Sequence, residues 1–346
     1  MSPNTVITRA LEALVSGQDL SADGAADVLA EIMTGNVSET QTAAVLIALR
    51  TKGETEHELA GLATAMRALA EPVLTGCQDL LDTAGTGGGR PTFNVSTTAA
   101  LIAAGAGCRV AKHGNRSVTG LSGSADVLEA LGVRIDVDPD GVARCVREIG
   151  FGFMFAPAHH GATRFVVPVR KALGVRTAFN LLGPLTNPAG ATRQLVGVSD
   201  PASAEKVAGA LARLGTERAL VVSSADGLDE MSTSGTTHVV DLDGGRTTRY
   251  DVSPEDVGLA RARWEDVAGG TPLQNARTTR SILAGDPGPP RDLAVFNAGA
   301  AILAAGRAQT LADGVRAAQA AVDSGAAART LDALVARTGE LAPEPA

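Results

Sequence analysis

The sequence predicts an α/β protein, a small helical N-terminal domain followed by a larger domain with a largely parallel central sheet. Two patterns predict it. Over the first seventy residues apolar side chains recur at helical spacing, and from about residue 78 short apolar runs alternate with helices, the signature of strands paired in parallel through crossovers. A third observation agrees: 45% apolar content with 3% aromatics and 40 glycines implies a core of Ala, Val and Leu and many tight turns.

In chain order, Val6, Leu11, Leu14 and Val15, then Val28, Leu29 and Ile32, then Val45, Leu46 and Leu49 mark three or four helices. "SETQ" (38–41) and "TEHE" (55–58) read as capping boxes, and Gly53 stands where a helix should stop. The helical domain is expected over 1–72 and the α/β domain over 73–340, with the closing "LAPEPA" (341–346) a frayed tail. In the larger domain the alternating runs are "DLLDTAG", "TTAALIAAGAG", "CRVAKHG", "SADVLEALG", "VRIDVD" and "DGVARCVREIG". "RALVVSSADG" reads as a further strand, and "HVVDLDGGRTTRYDV" as a hairpin turning at Gly244 and Gly245. Leu293 to about Val335 returns to Ala-rich helices.

The net charge of -8 argues against a nucleic-acid coat, because phosphate backbones are bound by excess Lys and Arg. Cys77, Cys108 and Cys145 are odd in number, far apart and outside metal-ligand spacing, so they read as free thiols of a reducing cytoplasm. Arg9, Glu12 and Asp19 interrupt the N-terminal apolar positions, and no apolar run approaches membrane-spanning length. A soluble, cytoplasmic protein without membrane or nucleic-acid partners is expected.

Four segments carry chemistry. In "DTAGTGGGRPTFNVST" (82–97) a strand end runs into Gly85, Gly87, Gly88 and Gly89, and a helix begins around Ser96 and Thr97. Bare backbone N–H groups beside a helix N-terminus make an anion cradle suited to phosphate. Neither a Walker loop nor the dinucleotide fingerprint fits, since no Gly-Lys-Ser/Thr follows and Arg90 replaces the third glycine. A glycine-rich structural turn is the alternative. In "KHGNRSVTGLSGSADVLEALG" (112–132), Lys112, His113, Asn115 and Arg116 follow a strand end, and Ser122, Gly123 and Ser124 lead into a helix. They read as a second anion loop on the ligand-binding edge of the sheet, or else as a solvated basic loop. "DGLDE" (226–230) offers Asp229 and Glu230, hard oxygen donors suited to Mg2+, though acidic surface turns are common. In residues 159–188, Arg164, Arg170 and Lys171 punctuate a helix, and an Arg there is suited to grip a carboxylate; His159 and His160 lack partners for a zinc site.

Taken together, "KHGNRS", "SGSADVLEALG", "FNLLGPLTNP" and "DGLDE", with "DSGAA" near residue 325, resemble the anthranilate phosphoribosyltransferase family over nearly the whole chain. The resemblance implies transfer of the phosphoribosyl group of phosphoribosyl pyrophosphate to the amine of anthranilate, the second step of tryptophan biosynthesis from chorismate. It implies that Gly85, Gly88, Gly89, Thr92, Asn94, Val95, Ser96 and Thr97 hold the donor. Lys112, His113, Gly114, Asn115, Arg116, Ser117 and Ser124 would complete that site. Gly85, His113, Asn115, His160 and Arg170 match acceptor-contacting positions, and Ser96, Asp229 and Glu230 match ligands of Mg2+. The implied fold is that of the nucleoside-phosphorylase-like phosphoribosyltransferases, with helices from about 162–186 joining the helical domain in space and a homodimer formed through it.

The chain departs from the family's pattern in the glycine loop. Where members read Gly-Thr-Gly-Gly-Asp and run one residue longer, this chain reads "GTGGGRPTFN", so either Gly89 replaces the acid or the acid is deleted. Leu121 stands where many members carry Lys, and Gly161 where Pro is common. A same-fold transferase or phosphorylase with a substituted anthranilate or pyrimidine nucleoside as acceptor is one alternative. The other, a non-catalytic nucleic-acid-binding relative, would need a basic surface that the charge balance does not provide.

Overall fold

The computed structural model describes residues 4–117 and 120–341. Four helices open the chain, α1 (Thr5–Val15), α2 (Ala22–Met33), α3 (Glu39–Lys52) and α4 (Glu56–Ala68). Thr55 and Glu58 close a complete capping box on α4, whereas Ser38 alone caps α3 by accepting the Gln41 N–H. Gly53 ends α3 at φ 89°, a left-handed conformation that favours glycine.

The α/β part follows as β1 (Leu80–Gly85), α5 (Val95–Gly105), β2 (Arg109–Gly114), α6 (Ser124–Ala130), α7 (Pro139–Ile149) and β3 (Phe151–Phe155). Next come the short α8 (Ala156–His159), α9 (Val167–Leu173) and α10 (Phe179–Leu182), then β4 (Arg193–Gly197), α11 (Pro201–Arg213) and β5 (Arg218–Ser224). The hairpin β6 (Thr237–Asp243) and β7 (Arg246–Val252) turns through Gly244 and Gly245, both at positive φ. Helices α12 (Pro272–Leu283), α13 (Pro289–Ala304), α14 (Leu311–Asp323) and α15 (Ala326–Leu341) close the fold. Of the expected tail, Leu341 ends α15 and residues 342–346 lie outside those described.

One seven-stranded sheet runs β3-β2-β1-β4-β5-β6-β7, parallel from β3 to β5 and antiparallel in the hairpin. β1 and β4 are neighbours although β2 and β3 intervene in sequence, so the strand order reverses beside β1. This is the switch point at whose C-terminal strand ends open α/β sheets bind ligands. Apolar side chains of α5, α13 and α14 pack on one face of the sheet, while the other face shares a continuous apolar cluster with α1 to α4 and with Val166, Val169, Phe179 and Leu182.

The structure corrects the reading of "VRIDVD". Val133, Ile135 and Val137 are buried in alternation with outward charges, yet the segment joins no sheet; its Arg134 N–H donates to Thr338 Oγ1 of α15 (3.1 Å). β3 ("FGFMF") and β4 ("RQLVG") stand outside the sequence reading; each is buried along most of its length and shows no alternation to mark it.

Candidate functional site

The glycine loop leaves the end of β1, with Gly87 and Gly88 at φ 65° and 88°. It ends at Asn94, which has φ 67° and is the single non-glycine residue with positive φ among those described. A tripod of hydrogen bonds holds that conformation. Asn94 Nδ2 donates to Ser122 O (2.9 Å), while Ser122 Oγ and Asn275 Nδ2 each donate to Asn94 Oδ1 (2.8 Å). Because the Asn94 side chain is committed sideways, it makes no cap bond, and the Ser96 N–H of the first turn of α5 donates to Glu230 instead. Thr92 bridges Ala268, Val95 and Thr97 are buried, and Thr97 Oγ1 has no partner among the described residues.

Beside this terminus lies a buried Lys112, 1% exposed, whose ammonium donates to Thr83 O and comes within 3.5 Å of Ser96 Oγ. Burial pushes its pKa down, and Asp82 and Glu230 counteract. Asp82 is itself fully buried in β1, accepting the His113 N–H (3.1 Å) and an Asn187 Nδ2–H (2.8 Å), so it braces β2 from beneath. At the end of β2, Gly114 has no room for a side chain because Ser124 Oγ lies against it, and Ser124 donates to Asn115 O (3.2 Å). Ser117 N donates to Asp126. Arg116 pairs with Asp126 and Glu129 and stacks over Phe155, so its guanidinium is engaged within its own loop.

Asp229 and Glu230 follow β5 and stand against the glycine loop. Cβ atoms built at Gly89 and Gly197 would collide with Asp229, and one at Gly85 would come within 2.9 Å of its Oδ2. Gly85 and Gly89 thus seat the Asp229 carboxylate and Gly197 its backbone carbonyl, and position 89 has no space for a side chain while Asp229 occupies it. Asp229 accepts the Gly87 N–H and Glu230 accepts the Ser96 N–H. Burial raises both acids, and the Asp229 charge helps push Glu230 up to about 8. Two crowded carboxylates beside the Ser96 hydroxyl are a hard-oxygen donor set whose mutual repulsion a divalent cation relieves, so the residues fit Mg2+. Among the described residues no cluster of three or more His, Cys, Asp or Glu could hold a metal.

Opposite stands a wall of different character. Arg170, on α9, lies half-buried over the Phe179 ring (5.3 Å) with no acidic partner among the described residues, and burial lowers its pKa. The α10 turn that begins at Phe179 leads to Gly183, whose carbonyl lies 3.3 Å from His113 Nδ1. His113 and His160 approach with ring centroids 5.1 Å apart, and burial pushes them to about 3 and about 4, so both are neutral near pH 7. His113 Nε2 is buried without a partner among the described residues.

Arg164 stacks on Phe165, Lys171 is exposed, and His159 turns its Nδ1 toward Glu71 O. Sequence reasoning passed over Asp82, Asn187 and Arg176. An acid inside an apolar strand was a visible signal for Asp82; nothing local marks Arg176, whose guanidinium reaches the glycine loop across the cleft.

A model of the helical bundle domain of a glycosyl transferase family matches residues 8–70, and a model of that family's α/β domain matches residues 77–328. The chain is 53% identical to an anthranilate phosphoribosyltransferase of Moorella thermoacetica, covering 93% of this chain and 96% of that one. It is 50% identical to one of Symbiobacterium thermophilum, covering 97% and 99%. It is similar to the crystal structure of the Thermus thermophilus enzyme (TM-score 0.91, 44% identity, covering 95% of this chain and 99% of that one). It also resembles the Saccharomyces cerevisiae enzyme in complex with PRPP and Mg (TM-score 0.88, 28% identity, covering 98% and 99%).

Proposed function

The chain belongs to the anthranilate phosphoribosyltransferase family, and from that premise we propose how its residues divide the reaction. It transfers the phosphoribosyl group of phosphoribosyl pyrophosphate to the amine of anthranilate, giving N-(5-phosphoribosyl)anthranilate and pyrophosphate in tryptophan biosynthesis, and it uses Mg2+. The observation that carries the division is the contrast between the two walls. One holds two buried acids and the buried Lys112 beside a bare-backbone cradle; the other holds an arginine with no acidic partner among the described residues and two neutral histidines.

On the donor side, Gly85, Gly88, Gly89, Thr92, Asn94, Val95, Ser96 and Thr97 cradle the pyrophosphate and ribose, with the α5 N-terminus adding positive potential. Lys112, Gly114, Asn115, Arg116, Ser117 and Ser124 complete that side, Arg116 and Ser117 through their loop's backbone. Asp229, Glu230 and Ser96 would hold Mg2+, which supplies neutralisation of the pyrophosphate leaving group when bound.

On the acceptor side, Arg170 pairs with the anthranilate carboxylate and turns the amine toward ribose C1. Gly85 and Asn115 border the acceptor, and His113 and His160 line its channel. His113 Nδ1 faces a carbonyl and so carries the proton, leaving the Nε2 lone pair to receive a hydrogen bond from the amine. Positive charge develops at C1 as the pyrophosphate leaves, so rate comes from positioning and from leaving-group stabilisation without a covalent nucleophile.

The same reading assigns 1–72 to the helical domain and 73–340 to the α/β domain, supported by the two family-model spans. Exposed Val15 on α1 and Ile47 on α3 support a homodimer through the helical part. Three free cysteines support a cytoplasmic protein, and among the described residues no helix is long and apolar enough to cross a membrane. A coupled assay with anthranilate, phosphoribosyl pyrophosphate and Mg2+ tests the function: stoichiometric pyrophosphate and phosphoribosylanthranilate are expected. Turnover with a substituted anthranilate or a pyrimidine nucleoside in preference to anthranilate would overturn it.

A further inference from the structure

We propose that Arg176 is a positioning residue for the phosphoribosyl donor, latching the glycine loop to the segment that carries Arg170. Its Nη1 donates to Gly87 O at 2.6 Å and its Nη2 approaches Thr86 O at 3.5 Å. Ser199 Oγ donates to the same Gly87 carbonyl at 3.2 Å. The Gly87 N–H points the other way, to Asp229. The peptides flanking Gly87 are therefore gripped from outside by Arg176 and Ser199 and from inside by Asp229, which fixes the direction in which the loop's donors face. Left to itself, a loop with two consecutive residues at positive φ has little to set that direction.

Gly88 belongs to the latch. A Cβ there would collide with Arg176 Nη1, so the loop's bareness at position 88 makes room for the guanidinium from outside as well as for an anion from inside. The latch is anchored at its other end, because Arg50, in the last turn of α3, donates to the Arg176 carbonyl. One tether thus runs from the helical part, through residue 176, to the donor loop. Arg170 lies six residues before Arg176 in the same segment, so the acceptor's carboxylate grip and the donor's cradle share one short stretch of chain. A planar guanidinium presenting two parallel donors suits a pair of successive carbonyls, and a lysine ammonium does not reproduce that fork.

The proposal rests on the glycine loop being the donor cradle, and the test separates the two ideas. The chain's one tryptophan, Trp264, stacks with Arg90 of the loop at 5.4 Å, so its fluorescence reports loop occupancy independently of turnover. Wild type, Arg176→Ala and Arg176→Lys of the full chain are titrated with Mg2+ and phosphoribosyl pyrophosphate, and both KM values are measured. Arg176→Ala is expected to weaken donor binding and raise the donor KM about tenfold, the worth of one hydrogen bond to a charged group, with the anthranilate KM within about twofold of wild type. Arg176→Lys should recover little. Should Arg176→Ala melt far below wild type, Ser199→Ala, which removes the second bond to Gly87 O, should show the same selectivity at smaller size. Equal donor binding by wild type and Arg176→Ala, full rescue by lysine, or equal rises in both KM values would overturn the latch alone. A wild-type chain silent toward the donor would overturn the donor reading with it.

Discussion

The donor and acceptor walls bury different ionisable groups: two acids and Lys112 on one side, Arg170 and two histidines on the other. Around Asp229 and Glu230, burial and like charge push carboxyl groups up, so the site favours bringing a cation in. Around Arg170, His113 and His160, burial pushes basic groups down, so the site favours an anion beside the arginine and none beside the neutral imidazoles. A reaction joining a metal-bound pyrophosphate ester to an amino-benzoate needs both environments within one cleft. On the proposed assignment, the difference teaches that selectivity lies in which charge each wall lacks rather than in a shared catalytic group.

Removing the acids should break the comparison most severely. Asp229→Asn with Glu230→Gln leaves the shape and abolishes the cation preference, and turnover at saturating Mg2+ should fall by about 10³-fold. Stopped assays across Mg2+ concentrations check it; retained metal dependence would mean other ligands.

Removing the cation from the opposite wall should act on one substrate. Arg170→Ala deletes a charge-assisted pair worth about 1.5–3 kcal/mol, which corresponds to a rise of about 10- to 100-fold in the anthranilate KM. The donor KM should stay near wild type, as steady-state kinetics with each substrate varied in turn would record.

Gly197→Ala sharpens the donor side without touching a ligand. Its methyl would press on the Asp229 backbone carbonyl, costing about 1–3 kcal/mol of stability and moving the carboxylate. A lower melting temperature together with a shifted Mg2+ requirement is expected, and a lower melting temperature alone would detach the glycine seat from metal binding.

The effect confined to low pH is that of the histidines on stability. Their folded pKa values lie below the ordinary 6.5, so the unfolded chain takes up protons first as pH falls, and stability is lost from about pH 6.5 down toward 4 for His160 and 3 for His113. His160→Asn should flatten part of that decline in melting temperature and leave the range above pH 7 unchanged.

What was legible in the sequence was what residue type dictates locally. Thr55 with Glu58, Gly53 and the Gly244–Gly245 pair announce their caps and turn, because each satisfies a backbone need within a few residues. The glycine loop was legible for the same reason and Asp229–Glu230 as adjacent acids, whereas their seat against the loop was not. Partnerships that depend on strand order were not: Asp82 meets Asn187 because β1 is central, and Arg176 meets Gly87 across 89 residues of chain. β3 and β4, buried along nearly their whole length, carry no alternation to distinguish them from helix interiors.

The central claim, that the two walls serve different substrates, is tested most directly by measuring donor and acceptor KM values for Arg170→Ala and for Glu230→Gln in one coupled assay. A crossed pattern is predicted, with Arg170→Ala raising the anthranilate KM and Glu230→Gln the phosphoribosyl pyrophosphate KM, each leaving the other near wild type. Equal rises in both constants for either variant would contradict it.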